Sequence, residues 1–107
     1  MIGKRVKVIV DRPKGSKHPI YKDMFYPINY GYIPNIYAGD GEEQDAYIVG
    51  IDEPIDCFVG VVIAIIKRKN DREDKWVVAP DGCFYTKEEI REKIFFQEKY
   101  FDVEILH

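Results

Sequence analysis

Cysteine is scarce in this chain. The two present, Cys57 and Cys83, form no close CxxC pair. Their spacing argues against a disulfide framework and predicts two reduced core thiols in a cytoplasmic protein. Long apolar runs are also missing. The longest, Cys57 to Ile66, is about half of the roughly 20 residues a membrane-spanning helix needs. The opening MIGKRVKVIV has basic residues, but Lys7 interrupts a very short apolar stretch, so no secretory signal is expected. There is no surplus of basic charge either: 16 Lys and Arg stand against 19 Asp and Glu, for a net charge of -3. A dedicated nucleic-acid binder would show a basic face, so neither nucleic acid nor membrane is an expected partner. No repeat or low-complexity segment is visible.

What is present suits one folded domain over residues 1–107. With 46% hydrophobic and 14% aromatic residues, the chain can bury a core without metal or disulfide staples. Lys4 to Val10 reads as a first strand. Val6, Val8 and Val10 share one face by the two-residue period, and Arg5, Lys7, Ile9 and Asp11 share the other. Pro13, Gly15 and Pro19 mark a loop. Residues 26–37 are too rich in Pro and Gly for a helix; they predict an extended, packed loop with one short strand near 29–33. A strand over 46–51 starts directly after Asp45. Val59 to Arg68 is the longest apolar strand, expected to be buried on both faces. The polar turn KNDRED at 69–74 and the strand 75–79 complete a hairpin, and residues 81–83 make a turn.

One helix is evident. Thr86 and Glu89 form a capping box, Ile90 and Ile94 follow on one face, and the helix runs to about Lys99. Asp102 to Leu106 add a last strand. The expected class is mainly β (α+β): a small, mainly antiparallel barrel or curled sheet with a helix packed across it.

The stretch YPINYGYIPNIYAGDGEEQD, residues 26–45, carries the chemistry. Asp40, Glu42 and Asp45 fall within six residues beside two glycines. Like charges so close repel, and a hard divalent cation relieves them. Mg2+ takes one or two carboxylates and keeps waters and substrate phosphates as its other ligands. Ordinary solvated turns are the other reading of the same residues. An EF-hand is excluded, because the sixth residue from Asp40 is Asp45 where glycine is required. More carboxylates stand at strand ends: Asp11, and Asp71, Glu73 and Asp74 in the hairpin turn. If these turns meet at one rim of a barrel, seven acidic side chains surround a cavity. Bound divalent cations would then lower the pKa of a water and clamp a phosphate. Lys17 and Lys75 would neutralise phosphate oxygens, and tyrosine hydroxyls would donate to them. A competing use of Tyr26, Tyr30, Tyr32 and Tyr37 is base stacking, although Pro-rich loops also need aromatic packing.

YPINYGYIPN at 26–35 followed by DGEEQDAYIVG at 40–50 resembles, in order and spacing, the family I soluble inorganic pyrophosphatases. VIVDRP at 8–13, the hairpin VVIAIIKRKNDREDKWVVAP and IFFQEKYFDVE are similar to further segments of that family. The resemblance implies an OB-like five-stranded antiparallel barrel with a C-terminal helix packed on it. It also implies hydrolysis of pyrophosphate to two phosphates with Mg2+, or Mn2+ in its place, and a homo-oligomer as one assembly. It assigns Asp40, Asp45, Asp71, Asp74 and Asp11 to metal, and Glu42, Tyr30 and Lys17 to catalysis, Glu42 as activator of the attacking water. Lys17, Tyr30, Lys75 and Tyr100 fall to substrate.

The chain departs from the family pattern in several places. It is much shorter than typical members. Glu42 replaces the central aspartate. The arginine before the Tyr-Pro block is missing, with Lys22 the nearest basic residue. Pro19 replaces an early carboxylate, Phe101 follows Tyr100 where lysine is usual, and the 69–75 turn is short. The alternative function is a non-catalytic or altered-specificity relative that binds a phosphate-containing ligand.

Overall fold

The fold is organised around one long strand, β4 (Cys57–Arg68), in a computed structural model that describes residues 1–107. The start of β4 pairs antiparallel with β1 (Arg5–Arg12) and its end pairs with β6 (Val103–Leu106). Its other side pairs with β5 (Asp74–Ala79). β2 (Asn29–Tyr37) lies between β1 and β3 (Glu43–Ile48), and β3 joins β5. The ring β1-β2-β3-β5-β4-β1 is therefore a closed barrel of five strands, with β6 beside it and α1 (Lys87–Glu98) packed on the wall. The barrel is mainly antiparallel, as expected, with one parallel pair, β3–β5. The hairpin reversal between β4 and β5 sends β5 back in the direction of β3.

Two cores result. Val6, Val8, Ile33, Ala46, Ile48, Val62, Trp76 and Val78 come from all five barrel strands and fill the interior. Tyr30, Tyr47, Val77, Ile66, Ile90, Ile94 and Ile105 belong to a second cluster between barrel wall and helix. Alternate residues of each strand serve the two, as the pleat requires.

Two bulges break that alternation, and both matter for function. On β4 the register passes from Val62↔Val78 to Ala64↔Val77, so Ile63 and Ala64 together oppose one residue. A one-residue shift moves every later side chain to the other face. Ile66 and Arg68 therefore point to the helix side and not into the barrel. On β1 the register passes from Val10↔Gly31 to Arg12↔Tyr30. The extra residue bends the strand end beside Tyr30, and bulges commonly re-aim side chains in this way.

Several elements differ from expectation. β2 is a full strand and not a loop with a short one. Gly31 permits this because a side chain there would overlap the backbone carbonyl of Ile9. Pro34, which lacks an N–H, sits where the β2–β3 register breaks between Ile33 and Tyr37. β3 begins at Glu43, so Asp45 is fixed within a strand and not in the preceding turn. Val59 and Lys67 of β4 are exposed, so burial on both faces does not hold along its length. Cys57 and Cys83 are free thiols, as expected, but both are exposed and neither is in a core. The helix has its capping box, with Thr86 Oγ1 accepting from the Glu89 backbone N–H and the Glu89 side chain accepting in return. No helix is long and apolar enough to cross a membrane.

Candidate functional site

Charged side chains gather on the helix-facing wall of the barrel. Strand pairing explains their meeting. Ala46↔Trp76 in the parallel β3–β5 ladder sets Asp45 beside Lys75. Lys75 Nζ donates to Asp45 Oδ2 at 2.6 Å and also contacts Glu73, two residues earlier on the same face. Arg68, turned to this side by the β4 bulge, holds Glu98 of α1 through two parallel bonds of 2.9 and 2.8 Å. Its remaining terminal nitrogen, Nη1, faces Asp71 at 3.7 Å and Glu73 at 3.9 Å. The Phe101 ring covers the guanidinium at 3.7 Å. Asp45, Lys75, Glu73, Arg68, Asp71 and Glu98 thus form one continuous chain of alternating charge.

Tyrosines line the floor. The Tyr30 hydroxyl lies against Asp45, and its ring centroid is 4.9 Å from that of Tyr47. Tyr47 donates to Glu98 and accepts from Gln97 Nε2 at 2.7 Å, while Tyr26 donates to Gln97 Oε1 at 3.2 Å. Burial first, then the negative charge of Asp45 or Glu98, pushes the Tyr30 and Tyr47 hydroxyls above the ordinary tyrosine range. Tyr26 is raised too, mainly by burial. Burial pulls the Lys75 ammonium below the usual lysine range, and Asp45 only partly offsets it. Arg68 goes the other way: burial opposes its charge, but the bonds and charge of Glu98 outweigh burial. Asp11 is raised by burial, with Arg12 opposing and Asp45 adding a small push, so Asp11 shares the field of Asp45.

The raised tyrosines have a measurable consequence. In the folded chain they keep their protons above pH about 10, where tyrosines of the unfolded chain ionise. The native state then binds more protons than the unfolded state, so stability falls as pH rises from about 10. A titration of tyrosinate absorbance is expected to show one fraction of tyrosines ionising only together with loss of tertiary structure. Ionisation of every tyrosine while the fold persists would contradict it.

The sequence-predicted residues divide into two groups. Asp45, Lys75, Tyr30, Asp71 and Asp11 belong to the cluster or its edge. Asp40 and Glu42 lie exposed on the turn before β3, where Asp40 Oδ1 accepts from the Glu42 backbone N–H at 3.0 Å. That turn abuts the 71–74 loop, because Gly39 sits so close to the Arg72 carbonyl that no side chain would fit. The two acidic turns are therefore neighbours at one rim. Asp74 faces away from Lys75 by strand alternation, and its backbone oxygen accepts from Gln44 Nε2 at 2.6 Å. Lys17 is not in the cluster; its ammonium rests 5.7 Å from the Phe25 ring centroid. Tyr100 is exposed, past the end of α1, with Lys99 Nζ 5.3 Å from its ring centroid.

Arg68, Glu98, Gln97 and Tyr47 are in the site without having been singled out. A signal for Glu98 was available: it extends the Ile90, Ile94 stripe by four residues, and a carboxylate on an apolar helix face needs a buried partner. Arg68 carried no comparable signal, because its facing depends on the bulge.

The donors available for a metal are all carboxylate oxygens. That set suits a hard cation such as Mg2+, which needs only one or two of them. No three acidic, histidine or cysteine side chains stand together as a metal-holding group.

Comparison with known proteins bears on this arrangement. The family model described as inorganic pyrophosphatase matches residues 2–93. An inorganic pyrophosphatase of a Nostoc species is 36% identical over 69 residues, covering 58% of this chain and 39% of that protein. One from Caulobacter vibrioides is 39% identical over 64 residues, covering 57% of this chain and 34% of that protein. The chain thus matches little more than a third of the length of these curated relatives. Among solved structures, the inorganic pyrophosphatase from Ehrlichia chaffeensis has the same fold with a TM-score of 0.74 at 18% identity, covering 97% of this chain and 85% of that one. The one from Neisseria gonorrhoeae gives 0.66 at 22% identity, covering 92% and 74%. With one family matched from β1 into α1 and the same barrel under it, this chain belongs to the inorganic pyrophosphatases.

Proposed function

We propose that the chain hydrolyses inorganic pyrophosphate to two phosphates with a divalent cation, Mg2+ with Mn2+ as a substitute. The observation carrying this reading is the Asp45–Lys75–Glu73–Arg68 cluster at the rim where the two acidic turns meet. Asp45 and Asp11 would hold the cation, with Asp40 and Asp71 as further ligands from the adjoining turns, while Asp74, on the other face of β5, would not reach it. When bound, that cation would supply charge neutralisation of phosphate oxygens and a water of lowered pKa.

The chain's own groups have distinct tasks. Lys75, fixed between Asp45 and Glu73, donates to a phosphate oxygen from a site that is already desolvated. Preorganised donors of this kind cost no reorganisation when charge develops. Burial keeps Tyr30 protonated at working pH, so its hydroxyl keeps a proton to donate. Lys17 and Tyr100 would close on the substrate from the loop and from the end of α1. Glu42, on the turn abutting the 71–74 loop, accepts the proton of the attacking water.

Phosphate release from pyrophosphate, measured with Mg2+, Mn2+ or chelator, tests the reading. Release should require the metal. Lys75→Met is expected to lower it by about 100- to 1,000-fold, the usual loss for one charge-stabilising donor. A second reading, pyrophosphate binding without turnover, has a specific observation in its favour: both buried cations are already paired with carboxylates, and Lys17 rests on Phe25. Metal-dependent binding by calorimetry with no phosphate release would select it.

A further inference from the structure

A cavity of about 1030 Å³ opens beside the charged cluster, between the 18–25 loop and the end of α1. Arg68 lines it and so joins cavity to cluster. Pockets for small organic ligands span about 300–1,000 Å³, so this space suits a molecule larger than bare pyrophosphate. Its walls are of two kinds. Tyr21, Phe25, Tyr100 and Phe101 supply aromatic faces, and Tyr21 and Tyr100 are 66% and 68% exposed, which leaves their rings free to stack. Lys22, Lys99 and Arg68 supply positive charge against the single carboxylate of Asp23.

The polar atoms also suit a heterocycle. His18 Nδ1 accepts from the backbone N–H groups of Ile20 and Tyr21, both at 3.1 Å. Its neutral ring therefore carries the proton on Nε2, an available donor. Asp23 offers an acceptor, and the Gln97 amide at the inner wall, bonded to Tyr26 and Tyr47, keeps its second N–H as a donor.

We infer that this cavity receives the base and sugar of a nucleoside diphosphate, with the two phosphates directed to Arg68 and Lys75. The inference rests on the phosphate-handling reading of the adjoining cluster. Aromatic faces answer the base, the His18, Asp23 and Gln97 groups answer its polar edge, and the cations answer the phosphates. At the junction Arg68 Nη1 makes only the looser contacts to Asp71 at 3.7 Å and Glu73 at 3.9 Å, which a phosphate would have to replace, because Nε and Nη2 are committed to Glu98.

The test is calorimetric binding of ADP, UDP, adenosine and pyrophosphate to the intact chain, each with Mg2+ and with chelator, beside phosphate release from pyrophosphate. ADP or UDP should bind about ten-fold or more tighter than pyrophosphate, and adenosine weakly, because base stacking and charge each contribute. Tyr21→Ala should collapse the ratio of ADP to pyrophosphate affinity, and Tyr21→Phe should restore it. Pyrophosphate binding or turnover without any preference for ADP or UDP overturns the inference and leaves the proposed function standing. Tight ADP binding with no pyrophosphate turnover supports the inference and removes the proposed catalysis. Binding of neither overturns both. A dimer in sedimentation together with no nucleotide preference would place a second copy of the chain in the cavity and also overturn it.

Discussion

Glu98→Gln is expected to lower unfolding stability by about 3–5 kcal/mol, measured by urea denaturation near neutral pH. Glu98 is the only carboxylate bonded in two places to Arg68, and their side chains are 2% and 8% exposed. Removing one partner of a buried pair leaves the other charge uncompensated, which costs about that much. Here the loss extends further, because Tyr47 also donates to Glu98 and Gln97 donates to Tyr47. Glu98→Leu combined with Arg68→Met should recover much of the stability, since an apolar pair of similar volume is often neutral or better. A cost below about 1 kcal/mol for Glu98→Gln would mean that the pair is solvated and that the network does not anchor the helix to the wall. The double variant would at the same time lose the guanidinium at the junction of cluster and cavity. Stability and phosphate affinity should therefore move in opposite directions between the single and double variants.

Glu42→Gln should reduce phosphate release by about 100- to 10,000-fold, the range for loss of a general base. The amide keeps the shape but cannot accept a proton, and Glu42 is exposed on its turn, so the fold should be unaffected. Glu42→Asp is the sharper comparison. It shortens the side chain by about one methylene, toward the residue usual in the family signature, and a shift on the order of 1 Å can change a rate by ~100-fold. Release is expected to be preserved or raised. If the wild-type chain releases no phosphate with metal, and Glu42→Asp creates none, catalysis is ruled out and pyrophosphate binding remains.

The strands were legible where the two-residue period and the turn residues agreed. Val6, Val8 and Val10, the 59–79 hairpin and the Thr86 capping box each reported their own element. Tyr26 to Tyr37 did not, because Gly31 and Pro34 weaken an isolated strand. They are tolerated in β2 for tertiary reasons, a close approach to Ile9 and a break in pairing, which no local pattern displays. The same limit applies to the site. Asp45 was visible as an acid in a motif, but not as a strand residue whose position is set by parallel pairing with β5. Glu73 and Asp74 are adjacent acids in one polar turn, and only the phase of β5 decides that Glu73 contacts Lys75 and Asp74 does not. Lys17 was read as a phosphate-neutralising cation and matched by resemblance, and its contact with Phe25 depends on a loop that the sequence leaves open.

The bulge at Ile63 and Ala64 makes β4 a strand with two parities. Before it, even-numbered positions such as Val62 belong to the barrel interior; after it, even-numbered positions such as Ile66 belong to the wall under the helix. Substitution tolerance along β4 should therefore invert at that point, with the same amino-acid change acceptable on one side and damaging at equivalent parity on the other. Removing the extra residue would heal the strand and leave Ile66 and Arg68 on the helix side, whereas adding one residue there would act as a frameshift in three dimensions. The insertion would carry Arg68 into the apolar interior and bring Lys67 to the helix side, exchanging the cation that Glu98 needs without altering the identity of either residue.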